Sequence, residues 1–103
     1  MPTIEDALAY MGIDYPDDVI TKNASRALAA AIKTLHGAVG EDVEQLLPGD
    51  DRTKEIVLMF TDDLYSQRGT SAKVSGATRQ LVSDMIMQLQ MELRTKREEA
   101  AKA

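Results

Sequence analysis

The sequence predicts an all-α protein, a small single-domain bundle of about four helices. Three observations carry this. Apolar residues recur at spacings of three and four over long stretches. Gly, Pro and Asp clusters of the kind that start and stop helices separate those stretches. The chain has 103 residues, which is one domain's worth and enough to bury about 60–70% of its extended-chain surface.

The first helix starts at Thr3. Thr3-Ile-Glu-Asp6 has the form of a capping box, with Asp6 in place of the usual Glu or Gln. Ile4, Leu8 and Met11 share one face with Ala7 beside them, and Gly12 supplies a stop. Two turns are too short to stand alone, so this helix must pack on the rest of the chain.

The second helix opens around Tyr15-Pro16-Asp17-Asp18, where Pro suits the first turn and the acids complement the helix dipole. Ile20, Ala24, Ala27, Leu28, Ala31, Ile32 and Leu35 then give the clearest helical period in the chain. The many alanines let another helix approach closely. His36-Gly37 reads as the end, with Gly37 at the C′ position. Residues 37–49 form a polar connection in which Val43, Leu46 and Leu47 make a short turn over the core.

The third helix starts at Asp50-Asp51, both good N-cap types. Ile56, Val57, Leu58, Met59 and Phe60 are consecutive and apolar, which inside a helix implies burial on most sides. Leu64 extends the Phe60 stripe by one turn, favouring helix over strand, and Gly69 ends it. This helix is expected at the centre of the core. A Ser/Gly/Thr loop from Gly69 to Gly76 leads to the fourth helix, from about Ala77, whose core face is Leu81, Val82, Met85, Ile86, Leu89 and Leu93. The helical domain spans 1–93. Residues 94–103 form a charged, alanine-rich tail that either extends the last helix or frays.

Composition excludes several classes of function. There is no cysteine, hence no disulfide scaffold, thiolate metal site or Cys nucleophile. One histidine excludes a multi-His metal cluster within one chain. No apolar run approaches the ~18 residues of a membrane span, and the acidic start MPTIEDALAY does not resemble a signal peptide. These features predict a soluble intracellular product. Gly37-Ala-Val-Gly40 lacks the lysine and preceding strand of a phosphate loop. The Asp pairs at 17–18, 50–51 and 62–63 point about 100° apart on a helix and do not converge on a cation, and the first two serve as helix-start acids. His36 has no nucleophile motif beside it and suits a helix C-terminus.

Net charge is −5, from 12 basic and 17 acidic residues, a poor balance for gripping nucleic acid through a broad basic face. The four aromatics, at 10, 15, 60 and 65, are too few to interleave with bases, and the second and third helices are too far apart for a helix-turn-helix. The charge is uneven: residues 1–51 are strongly acidic, whereas Ser66 to Ser83 holds Arg68, Lys73 and Arg79 and no acid. Solvated loops vary in this way. The same pattern also fits a polar assembly unit whose acidic end meets a neighbour's basic end. Met87 and Met91 lie off the core face, four residues apart. Burial against the first helix and an intersubunit contact both suit this adaptable side chain. Arg68, Lys73, Arg79, Met87 and Met91 are therefore the candidate subunit interface. A small acidic helical regulatory module that engages one other protein is the alternative.

Three stretches carry a resemblance. They are Ile4-Glu-Asp-Ala-Leu-Ala-Tyr-Met-Gly-Ile-Asp14, Asp51-Arg-Thr-Lys-Glu-Ile-Val-Leu-Met-Phe-Thr-Asp-Asp-Leu-Tyr-Ser-Gln-Arg-Gly69 and Val82-Ser-Asp-Met-Ile-Met-Gln-Leu-Gln-Met-Glu-Leu93. In this order they resemble the small head–tail connector, or head-completion, proteins of long-tailed phages. The matching phrases are Met11-Gly-Ile-Asp14, Leu35-His-Gly37, the basic-apolar-Leu-Tyr-x-x-Arg pattern from Arg52 to Arg68, and Met85 to Leu89. The resemblance implies a structural virion protein that is not an enzyme and uses no cofactor, found in the host cytoplasm during assembly and then in the virion neck. It implies a homo-oligomeric ring, usually dodecameric, beneath the portal protein. The ring extends the DNA channel, through which DNA passes without specific binding, and docks the next neck or tail-completion protein.

Overall fold

The computed structural model of the chain describes residues 1–66 and 76–102. Five helices lie within them: α1 (Ile4–Tyr10), α2 (Asp18–Val39), α3 (Val43–Leu46), α4 (Asp51–Ser66) and α5 (Gly76–Lys102). The protein is all-α, with four helices of seven residues or more and one single turn among the described residues.

α1 begins as its sequence requires. The Asp6 backbone N–H donates to the Thr3 hydroxyl at 3.2 Å, and the Thr3 N–H donates to the Asp6 carboxylate at 2.9 Å. Two of the helix's orphan donors are thereby satisfied reciprocally. Gly12, at φ 74°, turns the chain so that the Ile13 N–H reaches the Leu8 carbonyl at 2.9 Å.

α2 is capped at its start by Asp17, whose carboxylate accepts from the Ile20 N–H at 2.7 Å. Ala24, Ala27, Leu28, Ala31, Leu35 and Val39 are buried along one face. The helix does not end at His36-Gly37, as the glycine signal predicts. Gly37 lies inside it and is exposed, and the C-cap is Gly40. An internal glycine costs only about 1 kcal/mol. Continuing past it buries Val39 and delivers the chain to Gly40, whose φ of 106° ends the helix.

α3 is the expected turn over the core, with Val43 fully buried. At the entry to α4 the Asp50 carboxylate accepts from the Arg52 N–H at 2.9 Å. Ile56, Val57 and Leu58 are buried, while Met59 and Phe60 are half-buried at the margin. The Thr61 hydroxyl is buried within α4 and donates to the Val57 carbonyl at 2.7 Å. α5 contributes the fully buried Leu89 and Leu93, with Val82, Met85 and Ile86 partly buried beside them. Leu81 does not join that face and is 54% exposed. It neighbours Val82, so it projects about 100° around the helix from the buried stripe. α5 continues unbroken through residues 93–94 to Lys102.

The α2–α4 pair makes the largest interhelical contact, and α1 lies against both. α5 closes the structure by packing on α2, α3 and α4. One core results, with Leu28, Leu35, Val39, Val43, Ile56, Val57, Leu89 and Leu93 at its centre. Each such aliphatic side chain contributes about 1.5–3 kcal/mol on burial. The last residues of α2 and the first turn of α4 both bond to the 88–97 stretch of α5. α2 and α4 therefore run antiparallel.

Candidate functional site

The face of α5 opposite its core stripe carries Met87 and Met91, 57% and 66% exposed. The period explains the placement: at about 100° per residue, 87 and 91 fall far around the helix from 82, 86, 89 and 93. Neither methionine is buried against α1. Arg79 is also exposed on α5. Arg68, Lys73 and the expected helix end at Gly69 lie outside the described residues. The structure thus places Met87 and Met91 together, and Arg79 two turns earlier on the same helix.

The helix that presents this pair is fastened on both flanks. On one flank, the Arg52 guanidinium donates to both carboxylate oxygens of Asp50, at 3.0 and 2.7 Å, and to Glu92 Oε1 at 3.0 Å. It also reaches Gln88 at 3.4 Å. These hydrogen bonds hold the Asp50 and Glu92 carboxyls below their ordinary range and raise Arg52 above its own. On the other flank, Gln90 Nε2 donates to the Ala38 carbonyl at 2.9 Å. Arg97 donates to the Val39 carbonyl at 2.7 Å and forks onto Asp42 at 2.9 and 2.6 Å. Hydrogen bonding to Arg97 is the main cause that holds the Asp42 carboxyl low.

Gln90 and Arg97 are seven residues apart, so they share a face. Together they satisfy carbonyls that the end of α2 leaves open, and the Arg97 cation sits at the negative end of the α2 dipole. Gly40 makes this possible: a side-chain carbon there would collide with the Arg97 guanidinium.

These four tie residues, Arg52, Gln90, Glu92 and Arg97, carry no signal in the helical period. The bonds by which they join one helix to another span 36 to 58 positions in sequence. Only the concentration of Arg and Lys after Leu93 marks the region, and it reads equally well as a solvated tail.

The Asp pairs act as helix-start groups where they were expected to. Asp17 caps α2, and Asp50 serves α4 while holding Arg52. His36, in the last turn of α2, has its Nε2 3.2 Å from Glu44 of α3. No protein-family model, curated protein or solved structure matches the chain.

Proposed function

We propose that this protein is a structural, non-enzymatic virion subunit: a head–tail connector that forms a ring beneath the portal, extends the DNA channel and docks the next neck or tail protein. The observation that carries the reading is the outward placement of Met87 and Met91 on a braced helix. Soft, adaptable side chains fixed on a rigid element suit a contact made once and kept. The ordered Met11-Gly-Ile-Asp14, Arg52-to-Arg68 and Met85-to-Leu89 phrases support the same reading. So does the net charge of −5, because a conduit must let phosphates slide past. The proposed surface includes Arg79; Arg68 and Lys73 are assigned to it from the sequence alone.

The test is to mix the purified protein with its cognate portal ring and weigh the complex by native mass spectrometry. The expected result is about one subunit per portal subunit, as a matched ring requires. Absence of binding at high micromolar concentration, with both proteins folded, overturns the reading. Arg79→Glu is expected to weaken ring formation and leave the helicity unchanged. Unaltered assembly removes that residue from the interface.

A further inference from the structure

The front half of the chain is acidic, yet its longest helix is not. Between Asp18 and Glu41 there is no acid, and α2 carries Lys22, Arg26 and Lys33. All three are exposed, and none forms an ion pair among the described residues. They sit four and eleven residues apart, which places them on one face, opposite the buried Ala24, Ala27, Ala31 and Leu35. Exposed Ala29, Ala30 and Gly37 lie between and beside them, so a partner helix meets little steric bulk there.

α4 repeats the arrangement with the opposite sign. Asp51, Glu55 and Asp62 have the same spacing of four and eleven. Asp51 and Glu55 are exposed and Asp62 is partly so. None of the three forms an ion pair among the described residues. The two cations of α4 are engaged elsewhere, Arg52 with Asp50 and Glu92 and Lys54 with Asp6 at 3.8 Å. Because α2 and α4 pack on each other through their buried faces, the basic face and the acidic face look away from one another. The molecule measures 49 × 29 × 18 Å, and each of the two helices turns one row of exposed charge, of opposite sign, away from the α2–α4 seam.

We propose that a second copy of this chain occupies each face, with α2 of one subunit lying along α4 of the next. This deepens the ring reading and rests on it. Two different patches that meet in a heterologous contact generate a ring when the rotation closes. In a ring of many subunits, neighbours are related by nearly a translation. α2 therefore meets the next α4 antiparallel, as it meets its own.

In that sense the two eleven-residue spans, each about 16 Å long, coincide end to end. Lys22 faces Asp62, Lys33 faces Asp51, and Glu55 lies about one helical turn from Arg26, within reach of its long side chain. Exposed ion pairs are individually weak. The contact orients and registers neighbours more than it binds them, and the portal supplies the high local concentration.

The test uses two charge-swapped full-length variants, Lys22→Glu/Arg26→Glu and Glu55→Lys/Asp62→Lys, each first checked for unchanged helicity by circular dichroism. Sedimentation is measured at low salt. Wild type is expected to self-associate with rising concentration and to revert to monomer at about 0.5 M salt, where screening is strong. Each variant alone remains monomeric. Their mixture associates again, because one junction is native and the other is the same pairs reversed, and the average mass at least doubles.

If the mixture stays monomeric while wild type associates, or if either variant alone associates like wild type, the α2–α4 contact is overturned. If wild type stays monomeric at low salt, the same three samples are loaded on the portal. Loss of full occupancy in each single variant with recovery in the mixture supports the contact. Equal occupancy in all three overturns it. Failure of wild type to bind the portal counts against the connector reading and leaves the sedimentation result to stand by itself.

Discussion

Arg97, near the end of α5, donates to the carbonyl of Val39, the last residue of α2, at 2.7 Å. The same guanidinium fills the space over Gly40 that a side chain would need. One residue of the charged tail therefore closes the C-terminus of a helix 58 positions earlier.

Two glycines three residues apart should respond in opposite ways. Gly37 is exposed inside α2 with open space where a Cβ would go, so Gly37→Ala is expected to stabilise by about 0.5–1 kcal/mol. Gly40, at φ 106° and ψ 150°, has a conformation almost restricted to glycine. Gly40→Ala should cost about 1–3 kcal/mol for the backbone alone, before Arg97 is displaced. Urea unfolding of both variants decides it. Equal effects would place the helix end at Gly37 after all.

Thr53 is 5% exposed and its hydroxyl has no hydrogen-bond partner among the described residues. It lines a small cavity of about 110 Å³ with Leu47, Gly49 and Asp50. Thr53→Val keeps the shape and removes the unpaired group, so it should raise stability by about 1 kcal/mol. A loss of stability would mean that the hydroxyl bonds an ordered water in the cavity.

Met87→Gln and Met91→Gln are expected to change unfolding free energy by less than about 0.5 kcal/mol, as for exposed positions, yet to reduce portal occupancy. Leu89→Ala, between them in sequence but fully buried, should cost about 2–5 kcal/mol. If the methionine variants unfold as easily as Leu89→Ala, the outer face of α5 is part of the core.

Stability should fall in acid for an identifiable reason. Asp42, Asp50 and Glu92 have folded-state carboxyls held below their ordinary values, chiefly by hydrogen bonds from Arg97 or Arg52. A depressed folded value means that the contribution is present above the unfolded carboxyl range, near pH 4, and is lost as pH falls through the folded values. Thermal melts from neutral to acid pH should show this slope. Arg52→Ala and Arg97→Ala should each flatten it, and an unchanged slope would remove those pairs from the acid response.

Much of the fold was legible because it rests on local chemistry. The Thr3/Asp6 capping box, the Asp17 start and the alanine-lined face of α2 depend on residues within a few positions of one another. What was misread depends on distant partners. Gly37 looked like a stop because the true stop, Gly40, is made favourable by Arg97. Leu81 looked like core because it is apolar and adjacent to Val82, although the 82, 86, 89, 93 stripe already leaves it to one side. The outward placement of Met87 and Met91 follows from the same stripe. The bracing that makes them a firm surface comes from Arg52, Gln90, Glu92 and Arg97, and no periodicity announces it.

The fastening of α5 divides it into lengths of different mobility. From Ile86 to Arg97 two buried leucines and the ties to α2, α4 and Asp42 hold it. Beyond Arg97 every described residue is exposed. Amide hydrogens in the braced length open to solvent only when the core itself opens, whereas those after Glu98 exchange as from an isolated helix end. A partner seated on Met87 and Met91 would thus meet the slowest-exchanging part of α5, and its pull would be shared directly with the ends of two other helices.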